Sequence, residues 1–245
     1  MTRVTRRTIL LPVLRRTLRA LVSEPTARRE VASALWLVAK QTAARDTIRP
    51  VEPLALRGVD LVRSRGFVGD PNWMVVAALC SVLECRTFFE FGTYLGKMAW
   101  SVAATNPDAE VYTLDLPGES ALRETAFEVT DPHLFRAWDR GLFFAGTDEE
   151  SRIHQLTGDS ATFDFAPYRG RIDVVYVDGS HSYDYVKSDS ENAFGMLTPT
   201  GTILWDDYQY PEVYKYLDEL SASLDGHLLQ IRGTRLVAFS RRELV

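Results

Sequence analysis

The stretch FEFGTYLGK, residues 89–97, leaves an apolar run with one acid, Glu90, and two glycines four positions apart, Gly92 and Gly96. Glycine allows positive φ angles and lets another group approach the backbone closely. The run TFFEFG, residues 87–92, is typical of a strand, and helical periodicity follows it. Two interpretations of this turn are open: a loop that binds a nucleotide-type cofactor, and an ordinary tight strand-to-helix turn.

From residue 54 onward, helix-like segments alternate with short apolar runs, which favours a parallel, doubly wound α/β sheet. Residues 227–240 contain two strand-like runs around Gly233 and Thr234, and this pattern indicates a hairpin that adds an antiparallel edge. The sequence therefore predicts seven strands, mostly parallel. The predicted strands before the hairpin are residues 87–92, 110–116, 153–158, 172–179 and 201–208, and the predicted helices are residues 72–84, about 97–104, 183–197 and 212–224.

Composition limits the class of protein. The chain has 245 residues, 46% of them hydrophobic and 25% charged, which is typical of a soluble globular protein with one large domain. A formal charge of -5 argues against general nucleic-acid binding. Two cysteines, Cys80 and Cys85, are too few for a disulfide framework and predict reduced thiols in a cytoplasmic protein. The apolar runs are too short to predict a membrane span.

The N-terminal part differs from the rest. Residues 1–22 carry six arginines and no acid, with apolar residues at helical spacing, and two prolines in residues 49–53 mark a linker. We therefore predict a helical arm and linker over residues 1–53 and a main domain over residues 54–245. The arm is interpreted either as a basic amphipathic helix that contacts acidic lipid or a partner, or as a cap or dimerisation arm, which we prefer. Homo-oligomerisation is left open.

Acidic residues and glycines follow all five predicted parallel strands. In an open parallel sheet, ligands bind at the carboxyl ends of the strands, so these residues are expected at one edge. Acidic residues also cap helices, but five strand ends of the same kind are harder to explain by capping alone. The strand-end residues are, in chain order, Glu90, Gly92 and Gly96; Asp115; Gly158, Asp159 and Ser160; Asp178, Gly179, Ser180 and His181; and Asp206 and Asp207.

Asp115 lies 25 residues beyond Glu90, where a carboxylate can accept two hydrogen bonds from a ribose diol. The dinucleotide fingerprint GxGxxG is absent, because GTYLGK has glycines only at its first and fifth places. Both this departure and the C-terminal hairpin disfavour a nicotinamide dinucleotide.

The segments FFEFGTYLG, VYTLDL, TGDS, VDGSHSYDYVKSD and LTPTGTILWDDY, with the hairpin, resemble the class I S-adenosylmethionine-dependent methyltransferases, in particular the small-molecule O-methyltransferase branch. The resemblance covers about residues 70–240 and implies a Rossmann-like fold with S-adenosylmethionine as cofactor. It also implies cofactor-binding residues: Glu90, Gly92, Thr93 and Gly96 for the methionine part, Asp115 for the ribose, and Asp159 and Ser160 for the adenine.

Some members of this branch use a divalent cation, and their ligand positions match Asp178, Asp206 and Asp207. Three carboxylates in one cleft would repel one another, and a hard cation such as Mg²⁺ would relieve that repulsion. Some metal-using sugar methyltransferases carry a further acid where this sequence has Ser180. The alternative is that one of the aspartates caps a helix and another faces water.

His181 and Asp178 are the candidate catalytic residues. His181 is the candidate base, because a histidine near neutral pKa can remove a hydroxyl proton during methyl transfer. Its alternative role is a hydrogen bond at the start of the following helix. Residues 116–153 are interpreted as a substrate-covering lid or as a crossover helix with Phe135, Trp138 and Phe143 in the core.

The predicted function is methyl transfer from S-adenosylmethionine to a hydroxyl of a small molecule, such as a sugar or a secondary metabolite. Two alternatives are a nicotinamide-dependent oxidoreductase and a non-catalytic protein that binds a membrane or partner through its basic arm. The sequence does not identify the acceptor.

Overall fold

A computed structural model describes residues 72–130, 132, 140–224, 228–231 and 234–242. Within them the predicted elements form in the predicted order. The helices are α1 (Asn72–Val82), α2 (Lys97–Thr105), α3 (Tyr183–Met196) and α4 (Pro211–Ser223), and the strands are β1 (Thr87–Phe91), β2 (Glu110–Asp115), β3 (Ile153–Thr157), β4 (Ile172–Val177), β5 (Leu197–Trp205), β6 (Leu229–Gln230) and β7 (Val237–Ser240).

The seven strands form one sheet in the order β3-β2-β1-β4-β5-β7-β6. β1 to β5 pair in parallel, and β7 runs antiparallel to both β5 and β6. This confirms the predicted mostly parallel, Rossmann-like sheet with an antiparallel C-terminal hairpin. Chain order reverses between the neighbours β1 and β4, and in open α/β sheets ligands bind at such a reversal.

The central strands are buried on both faces because helices cover both sides of the sheet. Phe88 on β1 and Val174 on β4 belong to the core with α1 and α2, whereas Phe89 and Val175 face the core with α3 and α4. All four side chains are 0% exposed, and burying each stabilises the fold by about 1.5–3 kcal/mol. The strand ends that carry the candidate site are therefore held on the most buried part of the sheet.

The connection between β2 and β3 is described in part. Its described residues include two 3₁₀ helices, Glu119–Arg123 and Glu150–Arg152. The backbone N–H groups of Gly141 and Phe143 donate to the carbonyls of Tyr94 and Leu95, so this part of the connection packs against the turn after β1.

Phe143 packs against the core, as the crossover interpretation expected, and Phe144 is buried within it. Phe135 and Trp138 lie outside the described residues, so the choice between lid and crossover helix stays open. The predicted arm, its role in partner or membrane contact, and the boundary at residue 53 also lie outside them. Across the part of the chain that the structure describes, we find no helix with the length and apolar character needed to span a membrane.

Candidate active site

A cavity of about 460 Å³ opens at the carboxyl edge of the parallel strands, beside the reversal between β1 and β4. We distinguish its glycine-loop end, formed by Glu90, residues 92–94, Lys97 and Asp115, from its acidic end, formed by Asp178, His181, Asp206 and Asp207. The cavity brings together nearly all of the residues singled out from the sequence: it is lined by Glu90, Gly92, Thr93, Asp115, Asp159, Ser160, Asp178, His181, Asp206 and Asp207.

The two predicted loop glycines serve different purposes. Gly92 has φ 92°, and a Cβ at this position would lie 2.2 Å from the carbonyl oxygen of Asp178, so the turn after β1 packs directly on the turn after β4. Gly96 has φ 78° and does not line the cavity; a Cβ at this position would lie 2.5 Å from the ring of Phe144. Gly92 shapes the cavity, whereas Gly96 allows core packing beneath it.

Glu90 is buried at the floor of the glycine-loop end, with 1% exposure. Thr113 Oγ1 donates to Glu90 Oε2 at 2.6 Å, and Thr93 Oγ1 lies 2.7 Å from Thr113 Oγ1. Burial raises the pKa of Glu90 to about 8; the Thr113 hydrogen bond opposes this rise, and the charge of Asp115 adds to it. Glu90 is thus a carboxyl whose ionisation a cationic ligand would favour.

Asp115 joins the turn after β2 to the glycine loop. Its carboxylate accepts hydrogen bonds from the backbone N–H groups of Tyr94 at 3.0 Å and Leu116 at 2.7 Å, and Arg140 Nε lies 3.6 Å from Oδ2. Burial raises the pKa of Asp115, while the Tyr94 hydrogen bond and Arg140 oppose that rise. The carboxylate that the ribose prediction requires therefore faces the cavity and is fixed in position.

Asp159 holds the turn after β3 together. Its oxygens accept from the backbone N–H groups of Ala126 at 2.7 Å and Ala161 at 3.0 Å and from Tyr185 Oη at 2.9 Å. Its neighbour Ser160 hydrogen-bonds Asp189 on α3, a cavity-lining carboxyl that is 1% exposed. Burial raises the pKa of Asp189 to about 7, and the Ser160 hydrogen bond opposes this rise.

At the acidic end, Asp206 and Asp207 follow β5 and have different partners. Asp206 accepts hydrogen bonds of 2.6 Å from Asn72 Nδ2 and from Tyr176 Oη, and it is 5% exposed. Asp207 has φ 56°, which turns the backbone at the end of the strand. The two adjacent carboxylates can therefore both reach this end of the cavity.

Asp207 forms the centre of a charged cluster. Its Oδ2 lies 2.7 Å from His181 Nε2, and its Oδ1 lies 2.9 Å from an Arg235 guanidinium nitrogen. Burial raises the pKa of Asp207, but the His181 hydrogen bond and the charges of His181 and Arg235 outweigh burial and hold it below its usual value. The ring of Tyr210 stacks on His181 with centroids 4.3 Å apart. Asp207 and Tyr210 thus hold the ring of His181 in a fixed orientation.

Asp178 completes this cluster. Its pKa is raised well above the usual range, first by burial and then by repulsion from Asp206, Asp207 and Glu90. One ligand atom from each of Asp178, His181 and Asp207 lies within 4.8 Å of the others, a spacing suited to a metal ion. The sequence predicts Asp178, Asp206 and Asp207 as metal ligands, whereas the structure groups His181, rather than Asp206, with Asp178 and Asp207.

Comparison with known proteins agrees with this geometry. Residues 89–208 match the methyltransferase domain family. They form a methyltransferase domain. A search of curated proteins found no match to this sequence. The class I fold predicted from the resemblance is confirmed, and the family disfavours the nicotinamide oxidoreductase alternative.

Solved structures similar to this methyltransferase share its fold. A Staphylococcus aureus protein assigned as a caffeoyl-CoA O-methyltransferase has a TM-score of 0.54 at 14% identity, covering 73% of this chain and 86% of its own. The O-methyltransferase NovP has a TM-score of 0.53 at 15% identity, with coverage of 70% and 78%. A Klebsiella pneumoniae protein assigned as an O-methyltransferase has a TM-score of 0.51 at 16% identity, with coverage of 74% and 90%.

Sequence reasoning missed several residues of the methyltransferase site. Asn72 begins α1 and Arg235 precedes β7, yet the two meet at Asp206, and Arg235 N donates to Asn72 Oδ1 at 3.4 Å. No local pattern marks either residue as part of a site. Asp189 follows Ser182 by seven positions and Tyr185 by four, so helical periodicity could have placed it on the same face as those residues.

Proposed function

We propose that this methyltransferase transfers the methyl group of S-adenosylmethionine to a hydroxyl of a small molecule, with a sugar or a secondary metabolite as the acceptor class. The observation that carries the proposal is the His181–Asp207 pair, 2.7 Å apart, in the same cavity as Gly92 and Asp115. A base and a cofactor loop in one cavity suit transfer to a hydroxyl, which must lose a proton. The O-methyltransferases of similar fold are consistent with this acceptor chemistry.

The cofactor would extend along the cavity from the glycine-loop end. Its ribose diol would donate to Asp115, its methionine half would lie over Gly92 and Thr93, and its adenine would lie near Ser160. Asp159 has three protein donors, so we assign it mainly to fixing the loop that faces the adenine. This arrangement leaves the acidic end free for the acceptor.

In the proposed reaction, the acceptor oxygen attacks the sulfonium methyl carbon, an O–CH₃ bond forms, the S–CH₃ bond breaks, and S-adenosylhomocysteine is released. His181 accepts the hydroxyl proton. Because His181 Nε2 contacts Asp207 Oδ2, the tautomer with the proton on Nε2 has its basic lone pair on Nδ1. Asp207 then stabilises the imidazolium that forms. Placing the nucleophile in line with the methyl group would supply much of the remaining rate enhancement.

The acidic end also fits a divalent cation. Asp178 and Asp207 offer the carboxylate oxygens that Mg²⁺ prefers, and because burial and neighbouring carboxylates raise the pKa of Asp178, a cation would favour its ionised form. A bound cation would lower the pKa of the acceptor hydroxyl. Because Asn72 and Tyr176 donate to Asp206, we assign Asp206 to supporting the ligands rather than binding the ion. His181 stays the base in this assignment.

We also propose a cytoplasmic location for this methyltransferase. Both cysteines, Cys80 and Cys85, are free and buried. Burial raises the pKa of the Cys80 thiol well above its usual value, which disfavours the reactive thiolate. Unpaired thiols of this kind are typical of proteins in a reducing compartment.

The proposed function is tested by calorimetric titration with S-adenosylhomocysteine, in magnesium and again in chelator, followed by an assay with hydroxylated acceptors. We expect stoichiometric binding in both buffers, because the proposed cation would be held at the acidic end rather than by the cofactor loop. Turnover that chelator abolishes and magnesium restores would support the cation, whereas turnover unchanged by chelator would leave His181 as the sole proton acceptor. Absence of binding in both buffers would overturn the proposed function.

A further inference from the structure

The guanidinium of Arg235 covers part of the acidic end of the cavity. Its Nη1 lies 2.9 Å from Asp207 Oδ1, and its Nε lies 3.6 Å from Asp206 Oδ1, so one cation bridges the two carboxylates that follow β5. The side chain of Arg235 is 39% exposed, whereas those of Asp206 and Asp207 are 4% and 11% exposed. The guanidinium therefore lies on the solvent side of two nearly buried carboxylates.

The charge of Arg235 affects every carboxylate of the acidic end. For Asp178, Asp206 and Asp207 alike, burial acts to raise the pKa and the charge of Arg235 acts to lower it. The pKa of Asp178 nevertheless stays well above its usual value, because burial and the neighbouring carboxylates outweigh Arg235. One guanidinium thus offsets only part of the repulsion within this cluster.

The backbone of Arg235 is held in place while its side chain reaches towards solvent. Its N–H donates to Asn72 Oδ1 at 3.4 Å, and its carbonyl accepts from the N–H of Tyr208 at 3.2 Å. A long, partly exposed side chain on a fixed backbone can leave a carboxylate without disturbing the fold, because water solvates the released guanidinium. Arg235 therefore supplies a positive charge that can be withdrawn from the acidic end.

Arg235 and the proposed divalent cation use the same carboxylate. Asp207 Oδ1 pairs with Arg235 and also accepts from Gln209 Nε2 at 2.6 Å. Its Oδ2 lies 2.7 Å from His181 Nε2. Asp207 is at the same time grouped with Asp178 at a spacing suited to a metal ion. Two positive charges beside one carboxylate repel each other, so the guanidinium would oppose a cation bound there.

We propose that Arg235 is a counter-ion built into the acidic end, and that it sets the affinity for a divalent cation by competing with that cation for Asp207. The inference rests on the cation of the proposed function. Without the cation, Arg235 pairs with Asp207 and reduces the repulsion among the carboxylates. When the cation binds, the guanidinium turns towards solvent and Asp207 becomes a metal ligand.

The competition is tested by calorimetric titration with Mn²⁺, which takes the same oxygen ligands as Mg²⁺ and can be measured without an acceptor. The full chain is compared with R235Q, which removes the charge and keeps a polar side chain. The control is R86Q, which removes the same charge from an exposed arginine paired with Asp108. D207N and the double variant of D207N with R235Q show whether Asp207 carries the effect. Each protein is also titrated with S-adenosylhomocysteine.

R235Q should bind Mn²⁺ about tenfold more tightly than the unaltered protein, because a unit charge beside the ion is removed while water screens part of its effect. R86Q should stay within about twofold of the unaltered protein, because its charge is screened at the surface. When D207N is present, adding R235Q should leave Mn²⁺ binding undetectable or change it by less than about twofold, because the shared carboxylate is lost.

Unchanged or weaker Mn²⁺ binding by R235Q, beside measurable binding by the unaltered protein, would overturn the inference while the proposed cation stands. A tenfold gain that persists with D207N would also overturn it, because the charge of Arg235 would then act without Asp207. Absence of Mn²⁺ binding by all of the proteins would overturn both the inference and the proposed cation, and the titrations with S-adenosylhomocysteine would test the cofactor separately. R235M keeps the aliphatic part of the side chain and supplies the same comparison if R235Q does not fold.

Discussion

The two ends of the cavity are built from different parts of the chain. The glycine-loop end comes from residues 90–115, and its geometry depends on backbone features: the positive φ of Gly92, the start of α2, and N–H groups that donate to Asp115. The acidic end needs Asn72 and Arg235, which are 163 positions apart. The proposed contacts to the methionine and ribose parts of the cofactor are thus local in sequence, whereas the proposed base and metal ligands depend on tertiary packing. The two ends should therefore respond differently to substitution.

The largest expected effect separates chemistry from cofactor binding. H181N should lower turnover by about 10²- to 10⁴-fold, because it removes the proposed proton acceptor. Its affinity for S-adenosylhomocysteine should stay within about threefold, because the glycine-loop end is intact. Steady-state kinetics with an accepted hydroxyl substrate and calorimetry measure the two quantities. H154N, at a partly exposed histidine paired with Glu110, is the control and should leave both unchanged. Full turnover by H181N would assign the base elsewhere.

The close contact between the turns after β1 and β4, which connects the two ends of the cavity, depends on Gly92. G92A should lower the free energy of unfolding by about 2–4 kcal/mol, because the added Cβ would lie 2.2 Å from the Asp178 carbonyl and φ is 92°. G146A is a matched control, since Gly146 also has positive φ but no atom within 4 Å of the added Cβ, and should cost only about 1 kcal/mol. Urea unfolding measures both. Equal losses would show that backbone strain, rather than contact with Asp178, sets the effect.

The sequence predicts the glycine-loop end better than the acidic end for a physical reason. Strand periodicity and glycine positions determine where Gly92 and Asp115 lie, because both follow buried parallel strands directly. Asp206 and Asp207 were also placed at the correct strand end. Which of them would face an ion depends on φ at Asp207 and on donation from Asn72 and Tyr176, and neither is visible in local sequence.

Removing the proposed ribose contact should have a smaller effect, which should be confined to cofactor binding. D115A should weaken S-adenosylhomocysteine binding by about 1–3 kcal/mol, because charged hydrogen bonds to the ribose diol and support for the Tyr94 turn are lost. Turnover at saturating cofactor should change little. D108A, at an exposed aspartate paired with Arg86, is the control. Unchanged affinity in D115A would contradict the ribose assignment.

The smallest expected effect concerns the ionisation of Glu90 in the cofactor-free protein. Its folded-state pKa of about 8 exceeds the usual value of 4.5, so folding retains a proton that the unfolded chain releases. The resulting loss of stability is absent below pH 4.5, grows as the pH rises and is complete above about pH 8. E90Q should therefore be more stable than the unaltered protein by at least about 1 kcal/mol at pH 8, with the difference vanishing near pH 4.5.

Urea unfolding at several pH values measures this difference, with E212Q, at an exposed position in the first turn of α4, as the control. A pH-independent gain in E90Q would mean that Glu90 is ionised when folded. S-adenosylhomocysteine extends the test, because an ammonium group beside Glu90 favours the carboxylate and binding should then release a proton. We expect proton release by the unaltered protein and less release by E90Q. Equal release in both would place the ammonium away from Glu90 and towards the acidic end of the cavity.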